Sequence, residues 1–111
     1  SNGMRHGVGT LVETINSKTY NYNGSFVNDK KNGIGTMSSD DGAYVYDGEF
    51  VDNKKEGEGQ LLLNKTRYSG SFKSNEMTGD GIFCDEFGNV YEGEFLNGKF
   101  SGFGQLTMNN E

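Results

Sequence analysis

The stretch Tyr46–Phe50 (YDGEF) is followed a few residues later by GEG at positions 57–59. In the first stretch Tyr, Gly and Phe occupy every second position, which puts them on one face of a β-strand, while Asp and Glu face the other way. Between the two stretches lies Asp52-Asn53, and both residue types tolerate the positive φ angles of a two-residue hairpin turn. The segment therefore predicts a β-hairpin with one aromatic and one polar face.

The same pattern recurs along the whole chain. Tyr-x-Gly-x-Phe occurs at 22–26, 46–50, 68–72 and 91–95, and Gly-x-Gly occurs at 7–9, 33–35, 57–59, 79–81 and 102–104. The glycine of the first motif precedes the next Gly-x-Gly by nine residues each time, whereas successive repeats are 24, 22 and 23 residues apart. A constant interval indicates a tight hairpin, and a variable one indicates a loop that tolerates insertion.

Placing the turn between the two motifs predicts a register for each hairpin. Gly24 is expected opposite Gly33, and Tyr22 opposite Gly35. The other repeats give the same pairs: Gly48 with Gly57 and Tyr46 with Gly59, Gly70 with Gly79 and Tyr68 with Gly81, Gly93 with Gly102 and Tyr91 with Gly104. A tyrosine ring is then expected to lie over strand glycine and shield its backbone.

Repetition at this period predicts an array in which each hairpin packs against its neighbours. We expect one domain over residues 1–111, with a half repeat at 3–15 and repeats starting near 22, 46, 68 and 91. The fold class is all-β, an elongated single-layer twisted antiparallel sheet of stacked β-hairpins. Because the chain begins at Ser1 rather than Met, we expect it to be a fragment of a longer protein.

Composition argues against several classes of function. A net charge of -6 disfavours nucleic-acid binding, which needs a basic surface. Cys84 and His6 each stand alone, so we expect no internal disulfide, no metal site built on cysteine or histidine clusters, and a cytoplasmic location. Gly-x-Gly opens no helix here, unlike a phosphate-binding loop. We therefore expect no catalytic residues, no cofactor and no enzymatic activity.

The Tyr-x-Gly-x-Phe…Asn-Gly-Lys…Gly-x-Gly pattern resembles the MORN repeat (membrane occupation and recognition nexus), and the resemblance covers nearly the whole chain. It implies a repeat β-sheet with a groove along one face. It also implies scaffolding, protein–protein contact or self-association, at the cytoskeleton or the inner face of a membrane, and in some members lipid binding. Glu76-Met77-Thr78 replaces a basic pair in the third repeat, which interrupts a continuous basic edge.

Two surfaces are candidates for binding. The first is an aromatic groove that would take a partner helix, an extended peptide or a second copy in a homodimer; its residues are Tyr22, Phe26, Tyr46, Phe50, Tyr68, Phe72, Tyr91 and Phe95. The second is an edge that would contact phospholipid or an acidic partner; its residues are Arg5, Lys30, Lys31, Lys54, Lys55, Lys73 and Lys99. A third alternative is an accessory domain of a larger enzyme. We favour a protein partner in the aromatic groove as the leading hypothesis.

Overall fold

A computed structural model describes residues 5–109 of the chain as a single nine-stranded antiparallel sheet in which the strands follow one another in sequence order. The strands are β1 (Gly7–Ile15), β2 (Lys18–Val27), β3 (Lys30–Ser39), β4 (Tyr44–Val51), β5 (Lys54–Leu63), β6 (Thr66–Lys73), β7 (Glu76–Cys84), β8 (Val90–Leu96) and β9 (Lys99–Thr107). The molecule measures 55 × 28 × 21 Å, so the expected elongated, single-layer all-β fold is confirmed. Residues 3 and 4 of the expected half repeat lie outside the described part.

Within that part, residues 5–109, no helix occurs, and therefore no helix is long and apolar enough to cross a membrane.

The four turns inside the repeats are two-residue turns, as expected. Asn28 and Asp29 have φ angles of 50° and 69°, and Asp52 and Asn53 have 48° and 71°. Ser74-Asn75 and Asn97-Gly98 repeat this geometry. Positive φ at both central positions gives the turn a twist that matches the strands, and Asn, Asp and Gly adopt it at the least cost.

The connections between repeats differ in length, which explains the variable spacing. Residues 16–17 and 64–65 form short turns, whereas 40–43 and 85–89 form longer loops. In the first long loop the carboxylate of Asp41 accepts a hydrogen bond of 2.9 Å from the Ala43 amide. In the second, Asp85 accepts bonds of 2.9 Å from the amides of Phe87 and Asn89. These carboxylates order the loops.

The predicted register is wrong by two residues. Gly24 pairs with Gly35 rather than Gly33, and Tyr22 pairs with Met37 rather than Gly35. The other three hairpins show the same shift: Gly48 pairs with Gly59, Gly70 with Gly81 and Gly93 with Gly104. Counting outward from the turn assumes a regular ladder, but the second strand of each hairpin bulges beside the first glycine of Gly-x-Gly, which at Gly33 has a φ of 101°.

The shift aligns one glycine from every strand in a row that crosses the whole sheet. Its members are Gly9, Gly24, Gly35, Gly48, Gly59, Gly70, Gly81, Gly93 and Gly104. The row forms a shallow channel, because none of its members carries a side chain. The strands are too close for side chains there: a Cβ on Gly48 would lie only 2.6 Å from the Cα of Gly59. Tyr46 fills this channel, and a Cβ on Gly59 would meet its Cε1 at 2.6 Å. The expectation that tyrosine covers a strand glycine is confirmed.

The core of the molecule is a chain of aromatic rings on this side of the sheet, which we call the aromatic face. Each phenylalanine makes an edge-to-face contact with the tyrosine of its own repeat, and from the second repeat on also with the tyrosine of the preceding repeat. Phe50, for instance, lies 5.0 Å from Tyr46 and 5.1 Å from Tyr22 between ring centroids. The chain runs Phe26, Tyr22, Phe50, Tyr46, Phe72, Tyr68, Phe95 and Tyr91.

Candidate functional site

The eight rings that the sequence placed in a binding groove are buried. None of them is more than 9% exposed, and Tyr46 is fully buried. The prediction that these rings line an accessible groove is therefore wrong in that respect. The glycine channel explains why: each tyrosine ring lies down into it instead of standing on the sheet, and the phenylalanine rings close the gaps between them.

The tyrosine hydroxyls are used inside the fold as well. Tyr46 donates a hydrogen bond of 2.9 Å to the carbonyl of Glu49, three residues further along the same strand. The same bond occurs from Tyr22 to Ser25, from Tyr68 to Ser71 and from Tyr91 to Glu94. Burial raises the pKa of the Tyr22, Tyr46 and Tyr68 hydroxyls, because the phenolate would lose its hydration. These groups are structural, not available to a ligand.

A second layer of apolar side chains lies over the buried rings and is only half-buried. It consists of Leu11, Met37, Tyr44, Leu61, Met77 and Phe83, which we call the outer row. Leu11, Met37, Leu61 and Phe83 stand directly opposite tyrosines on neighbouring strands. The outer row is the apolar surface that the aromatic face presents to a partner.

Part of the outer row was detectable in the sequence. Four of its members come two residues after a Gly-x-Gly motif, and alternation along the strand puts them on the same face as the tyrosines: Leu11, Met37, Leu61 and Phe83. Tyr44 and Met77 were not anticipated. Tyr44 lies two residues before the tyrosine of its motif and pairs with Leu63, so alternation along β4 could have found it.

The predicted basic edge is interrupted, because two of its lysines lie on the aromatic face. Lys31 is only 7% exposed and its ammonium group lies 2.6 Å from the carboxylate of Glu13. Lys55 is half-buried, donates a hydrogen bond of 3.0 Å to the hydroxyl of Tyr44, and lies 5.7 Å above the ring centre of Tyr46. The expectation that Lys31 and Lys55 belong to an exposed edge is therefore wrong.

The remaining residues of the predicted basic edge are exposed. Arg5 has a carboxylate partner, since its Nε lies 2.6 Å from Asp29. The others stand at strand ends beside the turns: Lys30, Lys54, Lys73 and Lys99.

One position of the repeat, two residues before Gly-x-Gly, determines the polarity of the aromatic face. It holds Arg5, Lys31 and Lys55 in the first three copies, then Met77 and Phe100. Arg5 lies 5.2 Å above the ring of Phe26, and Phe100 stacks on Tyr91 at 4.0 Å between ring centres. The face is therefore cationic over the early strands and apolar over the late ones.

Two shallow hollows on the aromatic face follow this division. The first, about 520 Å³, combines Leu11, Met37 and Tyr44 with Lys31 and Lys55. The second, about 310 Å³, is lined by rings and aliphatic groups: Phe83, Tyr91, Phe100, Leu106 and Met108, with Asp85 and Asn89 at its margin. Glu13 and Asp29 also line the first hollow, where they pair with Lys31 and Arg5. Among residues 5–109, only Lys31, Arg5 and Lys18 have a carboxylate within 4.0 Å, so the Lys55 ammonium group forms no ion pair in this hollow.

Each turn is attached to the repeat before it. The amide of Asn53 donates to the Lys31 carbonyl at 2.9 Å, and its Oδ1 accepts from the Lys31 amide at 2.8 Å. Asn75 makes the same two bonds to Lys55, at 3.0 and 2.8 Å. These bonds hold Lys31 and Lys55 in position on the aromatic face, so the site is built by contacts between repeats.

Comparison with protein-family models gives a match to the MORN repeat. It covers residues 1–12, 22–44, 46–64, 68–85 and 91–110, in agreement with the repeats seen in the structure. A search of curated proteins found no match.

Proposed function

This chain belongs to the MORN repeat family, whose members are generally protein- or membrane-interaction repeats, and we propose that it is a non-catalytic scaffold that binds a protein segment along its aromatic face. The observation that carries the proposal is the outer row. Its side chains are apolar and half-exposed, and they lie above a core whose own contacts are complete. A single-layer sheet has no second layer to cover them, and exposed apolar strips of this kind usually mark interaction sites.

The chemistry of the face favours an amphipathic segment with an acidic group. The outer row would bury the apolar side chains of a helix or an extended peptide, since these are common ways to dock on such a surface. The Lys55 ammonium group, held by Tyr44 and lacking a carboxylate partner within the described residues, would pair with an acidic side chain of the partner. A second copy of the chain is the alternative occupant of the same face.

Peptide selection on the purified protein tests the proposal. Peptides enriched from a random display library would be measured by fluorescence anisotropy against the wild type, a Met37→Gln/Leu61→Gln variant and an Ile34→Gln/Val51→Gln control. Ile34 and Val51 are exposed apolar residues on the opposite face, so the control loses the same number of apolar groups. We expect affinity to fall about tenfold or more in the first variant and to change little in the control.

Peptides that bind a folded Met37→Gln/Leu61→Gln variant as tightly as the wild type would place the binding site elsewhere. Sedimentation of the wild type over a range of concentrations distinguishes the second copy, because self-association would be lost in the same variant.

Membrane binding is the alternative function, and the exposed ammonium groups of Lys30, Lys54, Lys73 and Lys99 support it. Asp52 and Glu76 lie in the same turns, and the net charge is -6, both of which oppose attraction to anionic lipid. Flotation with vesicles of phosphatidylserine and phosphatidylcholine at low salt would detect it, and a Lys54→Gln/Lys73→Gln variant should then lose it.

A further inference from the structure

The face opposite the rings, which we call the back face, also carries an apolar hollow. It has a volume of about 480 Å³ and its apolar lining includes Val45, Leu62, Ile82 and Cys84. The strands pair Val45 with Leu62 and place Arg67 between Leu62 and Cys84. These residues alternate along their strands with the buried rings and the outer row, so they project from the other side of the sheet. Ile82 is 42% exposed.

Carboxylates lie along one side of this hollow on the same face. They are Asp47, Glu49, Glu58, Asp80, Glu92 and Glu94, from strands β4, β5, β7 and β8. The ion pairs of residues 5–109 involve Asp29, Asp41 and Glu13, so none of the six has a cationic partner within 4.0 Å. Arg67 is the cation that lines the hollow. The back face of β4–β8 thus carries an apolar hollow with unpaired carboxylates along one side and Arg67 on the other.

Some of these carboxylates accept hydrogen bonds within the sheet and some do not. Glu49 accepts a hydrogen bond of 2.9 Å from the Glu58 amide, and Glu94 accepts one of 3.2 Å from the Phe103 amide, both beside a bulge. Glu58 accepts from the Ser71 hydroxyl. No hydrogen bond joins the side chain of Asp80 or Glu92 to another residue of the described chain. Their charges are therefore free to meet a partner.

We propose that this back-face hollow binds a basic amphipathic segment of a partner protein, with its apolar side chains in the hollow and its lysine or arginine groups on Asp80, Glu92 and Asp47. Charge complementarity identifies the occupant. Nucleic acid and anionic lipid are repelled by uncompensated carboxylates, whereas a cationic segment gains attraction and selectivity from them. An apolar segment without charge would use the hollow and leave the carboxylates beside it desolvated, at a cost.

The geometry suits a short helix. Asp47, Gln60, Ser69, Ile82 and Glu92 form one row of paired residues across β4–β8. Four strand spacings separate its acidic ends, roughly 19 Å at the usual distance between strands. A helix of about 13 residues has the same length. Basic groups near both ends of such a helix would reach both carboxylates while its centre lies over Ser69, between Gln60 and Ile82.

A Lys/Leu peptide provides the test. A fluorescein-labelled 14-residue helical peptide, LKKLLKLLKKLLKL, would be titrated with the purified chain by fluorescence anisotropy. We expect saturable binding that weakens as salt rises, because exposed charges are screened. An Asp80→Asn/Glu92→Gln variant should bind about tenfold more weakly. An Asp52→Asn/Glu76→Gln control removes the same two charges from the turns and should bind within about twofold of the wild type.

The apolar half of the proposal has its own pair of variants. Ile82→Ser should weaken binding, whereas Ile34→Ser, an exposed isoleucine on the back face outside the hollow, should not. Circular dichroism would verify that every variant retains the β-sheet.

Four results would overturn the proposal. The first is absence of saturable binding. The second and third are equal losses in the two acidic-pair variants and equal losses in the two isoleucine variants. The fourth is loss of peptide binding in the Met37→Gln/Leu61→Gln variant, since it would place the peptide on the aromatic face. The two proposals concern opposite faces, so failure of one leaves the other standing.

Discussion

The hydroxyl of Tyr46 donates a hydrogen bond to the carbonyl of Glu49, while its ring covers Gly59 on the neighbouring strand. One side chain thus satisfies a backbone acceptor of its own strand and fills the space above the next. Tyr46→Phe keeps the ring and removes the bond, so it should lower the free energy of unfolding by about 1 kcal/mol. Urea denaturation measures this difference. Tyr20→Phe is the control, because no hydrogen bond of the described chain uses the Tyr20 hydroxyl; equal losses in both variants would contradict the assignment.

Alkaline pH should unfold the protein. Burial raises the pKa of Tyr22, Tyr46 and Tyr68 above the ordinary value of 10.0, so the unfolded chain loses these protons before the folded one does. Stability from these groups is complete below pH ~10 and falls as pH rises further. Tyrosinate absorbance and circular dichroism, recorded together between pH ~8 and ~12, check this. Ionisation of Tyr22, Tyr46 and Tyr68 near pH ~10 in a chain that keeps its sheet would refute it.

A methyl group in the glycine row should be costly at Gly59 and cheap at Gly9. In Gly59→Ala the new Cβ would meet the Tyr46 ring at 2.6 Å from Cε1, which forces the ring out of the channel. We expect a loss of about 1–3 kcal/mol. Gly9→Ala is the matched control, because the nearest atom is Cε1 of Phe26 at 3.6 Å, an ordinary contact. Chemical denaturation of both variants would show a large difference; similar losses would mean that the channel does not limit side-chain size.

The turn asparagines should contribute to stability through their side chains. Asn53→Gly removes the bond to the Lys31 amide and keeps a residue that tolerates the positive φ of 71°, so it should cost about 1 kcal/mol. Gly98 occupies the equivalent position and makes only the backbone bond of 3.0 Å to Met77. Gly98→Asn should therefore add a bond and stabilise the chain by about 0.5–1 kcal/mol. The melting temperatures of the two variants should shift in opposite directions. A shift of both in the same direction would contradict a stabilising role for the asparagine side chain.

Much of the fold was predictable because its signals are local. The turns at Asn28-Asp29 and Asn97-Gly98 follow from residues that tolerate positive φ, and the aromatic face follows from alternation along each strand. The register was not predictable, because the bulge beside Gly33 depends on how the strand bends between its two neighbouring strands. Lys31 lies between the turn and the bulge and pairs with Phe26, so the turn alone places it on the aromatic face.

The site was only partly predictable for a related reason. Sequence spacing placed Tyr46 and Phe50 on the correct face, but it does not show depth within that face. Glycines aligned in every strand form a channel, and a ring above a channel becomes core. The exposed apolar side chains are then those two residues after each Gly-x-Gly motif, such as Leu61. The accessible surface is therefore formed by residues outside the two motifs.

The ring chain implies that the unit of sequence repetition is not the unit of folding. Phe50 closes over Tyr22 as well as Tyr46, whereas Tyr22 is the one aromatic ring of the described residues that contacts the ring of Phe26. A hairpin taken alone would therefore leave one side of its aromatic pair unpacked. Stable structure needs at least two neighbouring hairpins, and each hairpin added to the array brings a new shared boundary as well as its own contacts. Cooperativity in such a molecule resides at the junctions, and a break at one junction divides it into two shorter, independent ladders.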